Sequence, residues 1–159
     1  MRSLVTFALA LWLAATPAPG WGFEAKDFPY DGVRVIDTPH AFDALAKRLD
    51  AAIKANKMFA VSRASASAGA SRRGVAIAGN LVVGVFRNDF AVRMLEASVP
   101  AGIEAPLRFY VTANADGTAT LSYRVPSAVF GPYGAAGLDE MAKELDAIFD
   151  SIAAAAAGE

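Results

Sequence analysis

The 159-residue chain has no cysteine, a single histidine and few charges, which make up 19% of its residues. Without thiols there is no disulfide framework and no lipid-modified cysteine. With one imidazole besides, a structural zinc site, a copper–thiolate site or an iron–sulfur cluster lacks its usual thiolate and imidazole ligands. A carboxylate-only metal site stays open in principle, but no calcium-loop spacing or His-x-x-x-His pair occurs, and neither a metal nor a cofactor is expected. A net charge of −1 leaves no basic footprint for nucleic acid or for an anionic membrane surface. There is no Walker loop, dinucleotide fingerprint or serine–histidine–acid spacing, and no catalytic residue is assigned. The sparse charge and a hydrophobic content of 55% exclude a disordered polymer, and the length fits one compact domain.

The N-terminus accounts for part of that hydrophobicity. Arg2 precedes an apolar run from Leu4 to Ala15, followed by Thr16, Pro17, Ala18, Pro19 and Gly20. Charged, apolar and small-residue regions in that order form a secretory signal. The run is shorter than the roughly 20 apolar residues of a membrane span. Cleavage after Ala15, Ala18, Gly20 or Gly22 is expected, leaving a single domain over residues 23–159 with no membrane span. The expected location is the bacterial periplasm or the medium. The signal carries one charge, Arg2, so its removal leaves the domain more acidic by one.

Val33 to Ile36 is rich in β-branched residues and reads as a first strand. Thr38 is placed to cap a helix beginning at Pro39, with Phe42, Leu45, Leu49, Ala52 and Ile53 on one face. Met58 to Arg63 reads as a second strand, and the small-residue stretch 64–74 as a mobile loop. Leu81 to Phe86 is apolar on both faces, as in a central strand. Asn88 or Asp89 is placed to cap a short helix carrying Phe90, Val92, Met94 and Leu95, which Pro100 and Gly102 end. Two strands, Leu107 to Thr112 and Thr118 to Val125, then a Gly/Pro loop over 126–137, lead to a last helix from Leu138. Its core stripe is Met141, Leu145, Ile148, Phe149 and Ile152, and the alanines 153–157 read as a fraying end. The order predicts an α+β fold: a two-layer β-α-β4-α sandwich with a mostly antiparallel five-stranded sheet and helices on one face.

The last hairpin allows a register to be worked out. If Ala115-Asp116-Gly117 is a three-residue loop closed by a left-handed Gly117, Asn114 sits opposite Thr118. Leu107, Phe109 and Val111 then share one face with Val125, Tyr123 and Leu121. A loop of two or four residues would mix apolar and polar side chains on both faces. The other, uncovered face carries Arg108, Tyr110, Thr112, Thr120, Ser122 and Arg124, with the two arginines opposite one another. Like charges in cross-strand register are destabilising, by an amount comparable to the roughly 0.2–1 kcal/mol of a favourable pair. Solvent screening or an internal carboxylate, Glu104 or Asp89, would offset the repulsion. So would a small anionic ligand or a partner chain's carboxylate, held bidentately by arginine beside Tyr110.

Arg87, Asn88, Asp89 and Arg93 form a second polar group at a strand-to-helix junction, suited to an anion or to a local Asp89–Arg93 pair. His40, the one imidazole, reads as an exposed residue at the second position of the first helix. Phe130 and Tyr133 would either flap over a pocket or lie on the core. Three classes of function fit these features. The first is a small-ligand (anion or carboxylate) binding or protein-interaction module, in which Ser122 joins the Arg108, Tyr110 and Arg124 face and homodimerisation is possible. The second is a hydrolase or isomerase using Glu104, Asp89 or Tyr110 as acid or base. The third is a structural envelope protein. The unusual cationic face favours the first.

The segment Gly79-Asn80-Leu81-Val82-Val83-Gly84-Val85-Phe86-Arg87-Asn88 carries a resemblance, together with the Ala105-Pro106-Leu107-Arg108-Phe109-Tyr110-Val111 strand and the Asp116-Gly117 turn before Leu121-Ser122-Tyr123. Over roughly residues 30–152 the chain resembles the bacterial and archaeal domain-of-unknown-function family 302. The resemblance implies a β-α-β4-α two-layer fold and often a dimer, and implies no activity. Many members have Gly-Asn-Pro after the third strand, where this chain keeps only Asn88 between Arg87 and Asp89. Many also end the second strand with an Asp-His pair, which Ser62-Arg63 replaces here.

Overall fold

A computed structural model describes residues 21–158. The signal reading falls on residues 1–22, so all of it except Trp21 and Gly22 lies outside the described residues. Five strands, β1 (Val33–Thr38), β2 (Phe59–Ala64), β3 (Asn80–Phe86), β4 (Leu107–Ala113) and β5 (Ala119–Arg124), form one sheet in the order β1-β5-β4-β3-β2. Every neighbouring pair is antiparallel. The strands joined by the first helix thus lie at opposite edges. The main helices are α1 (Phe42–Ala55), α3 (Asn88–Ala97) and α5 (Ala136–Ala157), with short α2 (Ala66–Ser71) and α4 (Pro126–Phe130).

The core lies between the sheet and the helices, because alternate residues of β3, β4 and β5 all turn apolar side chains toward α1 and α5. Val83, Val85, Phe109, Val111, Leu121 and Tyr123 are buried there with Leu45, Leu49, Ile53, Leu138, Met141 and Phe149. The Phe149 ring stacks on Phe109 at 4.6 Å and tilts against Tyr123 at 5.8 Å. No helix among the described residues is long and apolar enough to cross a membrane.

Several local expectations are corrected. Thr38 ends β1, where its hydroxyl donates to the Ala119 carbonyl (2.7 Å), so the helix starts later, at Phe42, after an Ala41 N-cap without a side-chain bond. His40 therefore precedes α1, half-buried, with Nε2 3.0 Å from the Ala157 carbonyl of α5. The stretch 64–74 contains α2, since Ser65 caps it and Asn80 Oδ1 accepts from Ala66 N–H at 2.8 Å. The 126–137 loop contains α4, started by Pro126 and held by Ser127 N–H donating to Asp146. Phe130 lies in the core. The terminal alanines do not fray: Ala153, Ala156 and Ala157 are buried, and Arg48 holds the last carbonyls.

Candidate functional site

The hairpin has the register derived from its turn. Phe109 faces Tyr123, Val111 faces Leu121, Asn114 N–H donates to Thr118 O (2.8 Å), and Gly117 has φ +88°. The same register carried one residue further sets Arg108 opposite Arg124. Gly84, in register with Arg108 on β3, has no side chain to cover it. A Cβ there would lie 2.2 Å from Ser62 Oγ and 2.8 Å from Pro106.

The face bearing these residues is not uncovered, as the alternation alone suggested. Residues 21–31 cross it. Trp21 N–H donates to Ala113 O, Phe23 stacks on Tyr110 at 6.4 Å, and Phe28 packs between Phe23 and Tyr30. Thr112, Thr120 and Ser122 are consequently buried. Burial raises the Tyr110 phenol above its ordinary pKa, which favours the neutral donor form.

Between this crossing segment and the sheet lies a cleft of about 380 Å³. Its floor spans four strands, with Val82 of β3, Arg108 and Tyr110 of β4, Ser122 and Arg124 of β5, and Val33 of β1; Phe28 and Tyr30 form its wall. Arg124 lies 4.6 Å from the Tyr30 ring centroid and donates through Nη2 to Ala128 O (3.2 Å), while its Nε is buried without a partner. Arg108 is exposed. Neither arginine has a carboxylate within 4.0 Å among the described residues. Glu104, half-buried, shares a smaller cavity of about 40 Å³ with both, but its Oε1 accepts from Tyr133 Oη at 2.9 Å.

The structure therefore gathers Arg108, Tyr110, Ser122 and Arg124 in one cleft with Glu104 beside it. Arg87, Asn88 and Asp89 do not line it. Arg87, the N-cap of α3, donates twice to Asp89 (2.7 and 3.0 Å) and stacks on Phe90 at 4.3 Å. Neither Asn88 nor Asp89 caps the helix. The expected Asp89–Arg93 pair is replaced as well, because Arg93 reaches across to α5 and grips Glu144 with two bonds of 2.8 and 2.7 Å. Arg87 bonding lowers the Asp89 pKa, Arg93 lowers that of Glu144, and Thr118 lowers that of Asp116. Downward shifts are the reverse of what a general acid needs. Of the Ser62-Arg63 pair, Ser62 covers Gly84 and Arg63 pairs with Asp50 of α1. No group of three or more His, Asp or Glu side chains among the described residues is placed to hold a metal ion.

Phe28 and Tyr30 escaped sequence reasoning because residues 21–31 have no strand or helix periodicity. The available signal was aromatic: Trp21, Phe23, Phe28 and Tyr30 crowd a short segment that is otherwise mostly charged.

The family profile described as domain of unknown function DUF302 matches residues 35–156. Among solved structures, the chain is similar to an uncharacterized conserved DUF302 protein of Bacillus stearothermophilus. The TM-score is 0.67 at 18% identity, over 78% of this chain and 94% of that one. This likeness is one of fold. No curated protein matches the chain.

Proposed function

The chain belongs to the DUF302 family, and from that premise we propose that it is an exported binding module for a small anion or carboxylate, held in the Arg108/Arg124 cleft. One arrangement supports this reading above the others: two arginines on neighbouring strands line one cleft, neither has a carboxylate partner among the described residues, and Arg124 Nε is buried and unpartnered. A buried donor without an acceptor costs roughly 1–3 kcal/mol, so a turn of the Arg124 guanidinium that brings Nε to a ligand oxygen would recover free energy the unliganded protein forgoes. Arginine is suited to the task because its planar fork meets a carboxylate with two parallel bonds. The Tyr30 ring and the Ala128 carbonyl hold the Arg124 guanidinium in place in advance, which lowers the entropic cost of binding there.

Binding to the native state alone raises stability by RT ln(1 + [L]/Kd). At constant ionic strength, a panel of small anions should contain at least one that raises the melting temperature, and Arg108→Ala should abolish the gain. The unliganded variant should be nearly as stable as wild type, because an exposed side chain facing a like charge has been removed. Equal stabilisation by every salt would indicate general screening instead. If no anion acts selectively, and if Arg108→Ala and Arg124→Ala also leave the oligomeric state in analytical ultracentrifugation unchanged, the arginines are ordinary surface groups.

A further inference from the structure

Resting on that reading of the cleft, we infer that its ligand is a small monocarboxylic acid with an apolar, ring-sized body, rather than phosphate or a compact inorganic anion. Two observations carry the step, one of charge and one of lining.

Arg108 and Arg124 are the charged residues that line the cleft, and Glu104 is the charged residue that joins them in the side cavity. Glu104 retains its bond from Tyr133 and stands more than 4.0 Å from either guanidinium. It therefore tempers the local field without occupying the arginines' donors. Two cations and one anion leave a single positive charge uncompensated. One carboxylate neutralises that surplus, whereas a dianion would exceed it.

The walls set the remainder of the ligand. Phe28 and Tyr30 on one side, with Val33 and Val82 on the floor beside Tyr110 and Ser122, give the arginines aromatic and aliphatic neighbours as well as hydroxyls. A cleft built for phosphate alone would present further backbone N–H groups and hydroxyls in place of Phe28, Val33 and Val82. At about 380 Å³ it lies at the small end of ligand-sized pockets, with room for a ring beyond the carboxylate. Tyr30 has two roles here: it stacks on Arg124, holding the guanidinium in place, and its remaining surface faces the cleft.

Isothermal titration of the purified protein with phenylacetate, acetate, phosphate and benzyl alcohol, at constant ionic strength, tests this. Phenylacetate should bind about tenfold more tightly than acetate, the factor that roughly 60 Å² of newly buried apolar surface confers. Phosphate should bind no better than acetate, and benzyl alcohol, which has the ring without the charge, should not bind measurably. Tyr30→Ala should bring phenylacetate down to the level of acetate, while Tyr30→Phe, which keeps the ring and the packing of the segment, should retain the preference. Phenylacetate and acetate binding equally, both lost in Arg108→Ala, would overturn this inference and leave the anion site standing. So would phosphate binding best. Absence of binding by every anion would overturn both.

Discussion

Gly117 is a residue whose backbone decides the placement of others. At φ +88° it occupies the left-handed region, and a Cβ there would meet nothing within 4 Å, so any penalty for a side chain is one of backbone conformation alone. Gly117→Val should destabilise the protein by roughly 1–2 kcal/mol in urea unfolding, and Gly117→Asn by less, because asparagine tolerates that conformation better. A neutral valine would mean that the turn, and with it the opposition of Arg108 and Arg124, is of another type. Tyr123 raises a different residue-scale question. Burial first, and then the bond its hydroxyl donates to Asp150, push its phenol above the ordinary value near 10. The native state thus keeps a proton that the unfolded chain releases. Tyr123 contributes its full stability below pH 10 and loses it as pH rises above 10. Tyr123→Phe should cost about 1 kcal/mol at pH 7 through the lost hydrogen bond. Its stability should then fall less steeply than wild type in urea unfolding between pH 10 and pH 11.

At the scale of elements, the end of α5 is held from outside the helix. Helix termini leave their last carbonyls without partners. Here Arg48 of α1 donates through Nε to Ala156 O (2.6 Å) and through Nη2 to Ala155 O (2.9 Å), and His40 meets Ala157 O. The guanidinium also places positive charge at the negative end of the helix dipole. Arg48→Ala should cost about 1–2 kcal/mol and should speed hydrogen exchange in the last turn of α5 while leaving the sheet protected. The short helices α2 and α4 make the complementary point. Neither six nor five residues sustain a helix by propensity in water, so the two exist because Asn80 and Asp146 receive their first N–H groups. Ser65 and Pro126 mark the two starts locally, but partners fourteen and nineteen residues away are not marked by anything near them in the chain.

For the whole molecule, the export proposal requires that the segment covering the cleft survive cleavage of the signal. Cleavage after Ala15, Ala18 or Gly20 would keep Trp21 and its bond to Ala113, and cleavage after Gly22 would still keep Phe23 over Tyr110. N-terminal sequencing of protein recovered from a periplasmic extract should therefore begin between residues 16 and 23, on a chain that still contains Phe28 and Tyr30. Recovery of an intact Met1 terminus on a membrane-bound protein would sink the export proposal.

What was legible without coordinates follows from short-range rules. Alternation along 107–111 and 121–125, together with a glycine after Ala115-Asp116, determined the register of the hairpin, since a slip of one residue would expose Phe109 and Tyr123. The helical spacing of Leu45, Leu49 and Ile53, and of Met141, Leu145 and Phe149, determined two long helices and the face each buries. Arg108, Tyr110, Ser122 and Arg124 shared a face for the same reason. Only the tertiary structure decided that this face is partly covered, that Glu104 stands beside it bound to Tyr133, and that Arg87 and Asp89 lie elsewhere. Periodicity reports which residues face the same way along one element. Which distant segment then lies on that face depends on packing between parts of the chain that share no repeat, and nothing local in residues 21–31 records that Phe28 and Tyr30 complete a cleft on β4 and β5.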